Sequence, residues 1–191
     1  MAEIFFYLGE KNRAKKLERE AQELKKRFNR DFWMEERKYF AFGLDHQKKQ
    51  IASITSNPGH CLYSGIIGKD KSEVVVKKLL SDEMFGGWGI RTMGENELGY
   101  NPMSYHNGSI WPHDNSIIIN GLIRYNYLSD AAKVIDGLVK AAQYFEYNRL
   151  PKLFCGFSWK EFQRPVGYPV ACSSQEWATG SIYLIGQSLW V

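Results

Sequence analysis

Residues 101–125 read NPMSYHNGSIWPHDNSIIINGLIRY. The first half carries His106, Asn107, Trp111, His113 and Asp114 among Gly, Ser and Pro with no helical period, so it reads as a loop loaded with rings and hydrogen-bonding groups. Pro112 suits the first position of a helix, where its missing N–H costs nothing. From there Ile117, Ile118, Ile119, Leu122, Ile123 and Tyr125 place apolar side chains on nearly every side, the mark of an inner helix. A loaded loop is thus carried on the N-terminus of a buried helix.

Working outward, Asp130 to Phe145 predicts an amphipathic outer partner for that helix. The segments flanking the pair, 82–110 and 147–173, are long, glycine-rich and aromatic, too long for plain connectors. A last helix is expected from about Ser174 to Leu189. Upstream, Ser72 is placed to cap a helix through Val75, Val76, Leu79 and Leu80, and Pro58-Gly59 introduces a short helix through Cys61, Leu62, Tyr63 and Ile66. Tyr39 to Phe42 and Ile51 to Thr55 flank a polar turn at Asp45 to Lys49, which predicts one short β-hairpin. From Asn12 to Trp33, Ala14, Leu17, Ala21, Leu24 and Phe28 recur at helical spacing, giving one apolar face and a charged solvent face. Ile4 to Leu8 reads as the last turns of an apolar helix that opens abruptly at Met1 and stops at Gly9. The expected whole is a single domain, 1–191, of helical hairpins whose long loops open at one end onto a shared cleft.

A chain of 191 residues with 44% hydrophobic content can bury a sizeable core. Its 25 basic and 21 acidic residues are interspersed, and a net charge of +4 gives no field that implies a nucleic-acid partner. No apolar run is long enough to span a membrane, and no secretory leader is read at the start. Cys61, Cys155 and Cys172 are odd in number and lack metal-ligand spacing, so no metal and no disulfide framework is expected, and the compartment expected is the cytoplasm. Cys172 is read as a small buried packing residue rather than a nucleophile. No glycine-rich phosphate loop follows a strand, and no cofactor is expected. Aromatic residues make up 15% of the chain, and Trp88, Trp111, Trp159 and Trp177 all fall in or beside Gly-, Pro-, Ser- and Asn-rich segments. Flat apolar rings beside amides and carboxylates suit pyranose faces and hydroxyls, although any one of these Trp reads equally as a core plug.

The motif Tyr105-His-Asn-Gly-Ser-Ile-Trp-Pro-His-Asp-Asn115 resembles the YHxGSxWPHDN signature of the amylo-α-1,6-glucosidase (glycogen-debranching-type) catalytic domain. Thr55-Ser-Asn-Pro-Gly-His60, Phe85-Gly-Gly-Trp-Gly-Ile-Arg-Thr92, Leu150-Pro-Lys-Leu-Phe-Cys-Gly156 and Tyr168-Pro-Val-Ala-Cys-Ser173 with Gln175 and Trp177 are similar, in order, to that family's TSNPGH, FSGWGIRT, LPELFCG and YPVACSPQAW blocks. The resemblance implies an all-α fold, the C-terminal part of an α/α toroid of six helical hairpins, here with one small β-hairpin. It also implies hydrolysis of α-glucans or related oligosaccharides by inversion through two carboxyl groups about 6.5–9.5 Å apart. In the relatives the general acid lies in the first half of the toroid. The acidic residue of LPELFCG, aligned as general base, is here Lys152, and an ammonium accepts no proton unless its pKa is driven far down.

The carboxyls weighed for catalysis are therefore Asp114, Glu161 and Glu176. Sugar contact is expected at His60, Trp88, Arg91, His106, Asn107, Trp111, His113, Gln175 and Trp177, with Trp88, His106, Trp111 and Asp114 forming one subsite. For Asp114 helix capping or dipole complementation is an equal reading, for Arg91 a tie between two loops, and for His113 a structural hydrogen bond. The partners implied are an α-glucan or oligosaccharide, with self-association or a chain carrying the N-terminal toroid half as the alternative of a non-catalytic sugar-binding or scaffold subunit.

Overall fold

The computed structural model describes residues 1–173 and 175–188. Its helices run α1 Ala2–Tyr7, α2 Lys11–Asp31, α3 Asn57–Ser64, α4 Lys69–Leu79, α5 Pro112–Arg124, α6 Leu128–Ala142 and α7 Glu176–Ser188, with a single 3₁₀ turn at Glu146–Asn148. Ser174 and Leu189, the expected ends of the last helix, lie outside the described residues. Four two-residue strands fall between α2 and α3: β1 Trp33–Met34, β2 Tyr39–Phe40, β3 Gly43–Leu44 and β4 Gln50–Ile51.

The expected single hairpin is two. β3 pairs antiparallel with β4, Gly43 opposite Ile51, around the turn where Asp45 N–H donates to Lys49 O at 2.9 Å. Tyr39 and Phe40, read as part of that hairpin, instead pair backward with β1, Phe40 opposite Trp33. The reason lies at Lys38, whose φ of 49° closes a tight turn after Met34, while Phe28 stacks on both Phe32 and Phe40 at 4.9 Å between centroids. Aromatic packing across the end of α2 selects the partner strand.

α5 is the inner helix that its composition predicts. It packs against α3, α6 and α7, and Ile118, Ile119 and Leu122 are fully buried with Leu62, Val75, Leu79, Ile90, Val134 and Leu138. Each such side chain contributes roughly 1.5–3 kcal/mol of burial. α6 turns Ala131, Val134, Gly137, Leu138 and Ala141 inward, as an outer amphipathic helix does. α3 and α5 cross with their backbones close: a Cβ on Gly59 would lie 2.5 Å from Ile118 Cγ1, and one on Gly121 2.6 Å from Tyr63 N.

Two expectations are corrected at α4 and α2. Ser72 does not cap α4, whose cap position is Gly68; the Gly68 N–H donates to Asn29 Oδ1 at 2.7 Å, and Ser72 lies inside the helix with its hydroxyl on Lys69 O. The apolar stripe of α2 is covered only in part, with Leu17 and Phe28 half-buried and Ala21 exposed. Only Ala14 is buried there, Leu24 is exposed, and α2 is tied to the α3–α4 turn by Lys25 Nζ and Asn29 Nδ2, which donate to Gly65 O and Ile66 O at 2.7 Å each.

The two long loops are stitched by single antiparallel bridges from Arg91 to Ile110, Ile110 to Phe154 and Phe154 to Gly167. Ile110 and Phe154 exchange N–H···O bonds of 2.9 and 3.0 Å. A Cβ on Gly156 would fall 1.8 Å from Gly108 O, so only glycine admits this approach. The loop backbone that periodicity alone leaves shapeless is thereby held against α5.

Candidate functional site

The N-terminal turn of α5 positions the site. Trp111 is the cap residue in extended conformation and makes no side-chain cap bond, so His113 and Asp114 fall in the first turn. Asp114 does not cap the helix: its Oδ1 pairs with His60 Nε2 of α3, an arrangement that the close α3–α5 crossing permits. The Asp114 hydrogen bond pushes the His60 pKa above its ordinary value, against the opposing effect of burial. Asp114 Oδ2 is buried without a hydrogen-bond partner among the described residues. Such an acceptor costs stability unless something donates to it.

Around this carboxylate the rings form a ledge. His106 lies parallel to Trp111 with centroids 6.1 Å apart, and Tyr105 and His113 meet Trp111 edge-on at 4.8 and 5.4 Å. The Trp111 indole is fixed by donating to Ser109 Oγ at 2.9 Å and Tyr105 O at 3.1 Å. Trp177, 62% exposed, packs edge-on against His113 at 4.8 Å. Burial lowers the His113 pKa, keeping that ring neutral near pH 7, and its Nδ1 is buried without a partner among the described residues. Together Phe42, Ser53, Thr55, Ser56, Asn57, Thr92, Met93, His106, Asn107, Trp111, His113 and Asp114 line a cleft of about 590 Å³.

Lys152 stands at the edge of the same ledge, 5.2 Å from the Tyr105 ring centre and 5.6 Å from that of Trp111. A hydrogen bond with Tyr105 raises its pKa, the opposite of what a proton acceptor needs. Cation–π attraction holds an ammonium there.

Not every expected residue is brought to the cleft. Trp88 is 4% exposed and packs edge-on against Tyr144 and Trp159, so it is a core plug rather than a stacking face. Arg91 is fully buried. Its Nε donates to Gly156 O at 2.7 Å and its Nη1 to Asp82 O and Glu83 O at 2.8 and 3.0 Å, so it ties loop backbone together and does not line the cleft. Glu161, weighed as catalytic, accepts from the N–H and hydroxyl of Ser158 at 2.7 and 2.8 Å, and these bonds lower its pKa; it caps its own loop away from the cleft. Glu176 is exposed on the first turn of α7, and neither it nor Gln175 lines the cleft; Gln175 Oε1 accepts from Ala178 N–H at 3.3 Å at the start of that helix. Cys172 is exposed, not buried, and the three cysteines are free.

Tyr105, Phe42 and Met93 belong to the site without having been singled out. Tyr105 stood inside the quoted motif, whereas Phe42 and Met93 carry no local signal and arrive by tertiary placement. The expected shared cleft is divided: Thr92 and Met93 face it, while Phe85, Gly86 and Gly87 of the same loop line a separate cavity with Trp159. A larger groove of about 890 Å³ lies between α1, α2 and the turn after α3. It holds none of the groups with displaced proton affinity just described, and the site stays with the cleft. Among the described residues, no three His, Cys, Asp or Glu side chains are grouped to hold a metal, and no helix is long and apolar enough to cross a membrane.

The profile of the mannosylglycerate hydrolase MGH1-like glycoside hydrolase domain matches residues 1–150. The chain belongs to this MGH1-like glycoside hydrolase family. No curated protein matches it. A sialidase superposes with a TM-score of 0.72 at 14% identity, over 82% of this chain and 16% of that one. An uncharacterized conserved protein from Thermus thermophilus gives 0.61 at 15% identity, over 82% and 36% of the two chains. The GH63 mannosylglycerate hydrolase of the same organism, in complex with glucose, gives 0.60 at 14% identity, over 82% and 34%. The MGH1-like chain therefore spans between 16% and 36% of the length of these three structures, and at such identities the likeness is one of fold. That fold is the all-α, partial α/α toroid of helical hairpins, with two small β-hairpins in place of one.

Proposed function

We propose that the cleft is a sugar subsite of a glycoside hydrolase-like domain acting on α-glucans or related oligosaccharides, as the amylo-α-1,6-glucosidase resemblance implies. One pyranose stacks on the Trp111 ledge, its hydroxyls reached by His106, Asn107, His113 and Asp114, with His60 paired to Asp114 and Trp177, packed on His113, at the rim. The observation that supports this most is Asp114 Oδ2, a buried acceptor with no partner among the described residues, on a residue that lines the cleft together with Trp111, His106 and Phe42. Of the three carboxyls weighed for catalysis, only Asp114 lines the cleft. An inverting reaction needs a second carboxyl about 6.5–9.5 Å away.

Lys152 favours a second reading, a non-catalytic sugar-binding or scaffold subunit that completes a toroid with a partner chain. A raised ammonium pKa at the place aligned with the general base is incompatible with activating water there. Exposed Ile4, Phe6, Tyr7 and Leu8 on and after α1 also support an associated state.

The test is a titration with maltotriose followed at the Trp111 indole N–H, run beside sugar release from branched and linear α-glucans by the parent and by Lys152→Glu. Saturable binding by both proteins is the expected result, and release by the parent means a complete site with a replacement base. A Trp111 signal that does not move removes the reading. Release by Lys152→Glu alone assigns the missing base to position 152, and release by neither leaves the subunit reading, for which mass should rise with concentration.

A further inference from the structure

A second cavity, of about 250 Å³, lies apart from the cleft and shares no residue with it; Asp82, Phe85, Gly86, Gly87, Glu95, Ser158, Trp159 and Lys160 line it. We propose that Trp159 is the platform of a second sugar-binding site, which takes one pyranose ring of a neutral oligosaccharide. The proposal shares with the functional reading above only the expectation that this chain meets oligosaccharides.

Trp159 is 52% exposed yet held on several sides. Its backbone N–H donates to Gly86 O at 2.9 Å. Gly87, with φ of +98°, lies so close that a Cβ there would stand 3.1 Å from the indole Cγ, so the glycine backbone occupies the space behind the ring. Trp88 meets it edge-on with centroids 6.5 Å apart. The turn that carries it is closed by Glu161, which accepts both the N–H and the hydroxyl of Ser158. A large ring fixed in this way and left half in water is already in its binding conformation, and a ligand stacking on it loses little side-chain entropy.

The polar rim is of mixed sign. Lys160 Nζ pairs with Asp82 Oδ2 at 3.0 Å, and Glu95 Oε2 is held at 3.1 Å by Arg91 Nη1 from the buried side. Two carboxylates and one ammonium around an apolar face do not select a strongly charged ligand of either sign. Sugar hydroxyls, which donate to carboxylates and accept from an ammonium while their C–H faces cover the indole, match all of these groups at once. The volume has room for one ring rather than a chain.

The test is a titration with maltotetraose in which the indole N–H resonances of Trp111 and Trp159 are followed separately. The Trp159 signal should saturate with its own midpoint and keep it in Trp111→Ala. Trp159→Ala should leave the Trp111 titration unchanged, and Asp82→Asn, at an exposed position that no packing depends on, should weaken the Trp159 midpoint about tenfold. A Trp159 signal that stays still, or whose shift disappears in Trp111→Ala, overturns the proposal. If Trp159 responds and Trp111 does not, the platform stands and the cleft reading falls; if Trp111 alone responds, the reverse holds; if neither does, both fall.

Discussion

Trp88 and Trp111 keep similar company in the sequence, each in a long irregular segment with glycine close before it and each followed three residues later by a charged side chain, Arg91 in one case and Asp114 in the other. In the fold they part. The Trp88 loop runs under α6, where a Cβ on Gly137 would lie 2.6 Å from Gly87 O, and the helix covers it. Trp111 caps the N-terminus of α5, and its ring stays on the cleft wall. Arg91 accordingly gives Nε and Nη1 to loop carbonyls deep in the core, whereas Asp114 pairs with His60 on the cleft wall; each keeps one polar atom without a partner among the described residues, but only that of Asp114 belongs to a cleft-lining residue. Local composition marks a loop as loaded; what lies over it decides whether the load is structural or functional.

The contrast can be broken most forcefully at the buried member. Arg91→Ala should lower the unfolding free energy by about 3–5 kcal/mol, since Glu95 and three loop carbonyls lose their donor together. Trp88→Ala should cost a similar amount, about 3–5 kcal/mol, through the cavity it leaves. Urea midpoints measure both, and a change below about 1 kcal/mol would mean that the loop is not part of the core. Trp111→Ala should show the opposite profile, with a stability loss of about 1–2 kcal/mol but maltotriose binding at least roughly tenfold weaker by calorimetry. Equal behaviour of the two tryptophans would erase the distinction.

The smallest and sharpest effect is at His60. Its raised folded-state pKa means that the His60–Asp114 pair stabilises the protein fully below the unfolded imidazole value of about 6.5, and that this contribution is lost as pH rises through the folded value. Asp114→Asn should bring the His60 titration, followed by its ring proton shifts, back toward the ordinary value and flatten the stability profile over that window. A parent His60 that titrates at the ordinary value would show the pair absent.

Much of this was legible in residue order. Pro112 and the unbroken isoleucines announced the inner helix, and the stretch from Tyr105 to Asp114 held five of the cleft-lining residues, because one loop and the helix N-terminus it feeds present them together. The strand pairing of Tyr39 and Phe40 was not legible, since it depends on Phe28 stacking from the end of α2. Nor was the cap of α4, because its acceptor comes from Asn29, far back in the chain. Glu161 looked free for proton transfer until the Ser158 turn claimed its carboxylate.

By itself the sequence determined the inner and outer helices and the segment that carries the candidate site, which rest on periodicity and on residues adjacent along the chain, while the toroid was implied by the motif resemblance. Tertiary structure alone decided which aromatic is buried, that His60 meets Asp114, that Arg91 is a tie, and that the loops open onto two cavities instead of one. The physical reason is range. A helix reports itself every three or four residues, whereas burial, pairing and proton affinity depend on groups brought from tens of residues away, and no local pattern records their approach.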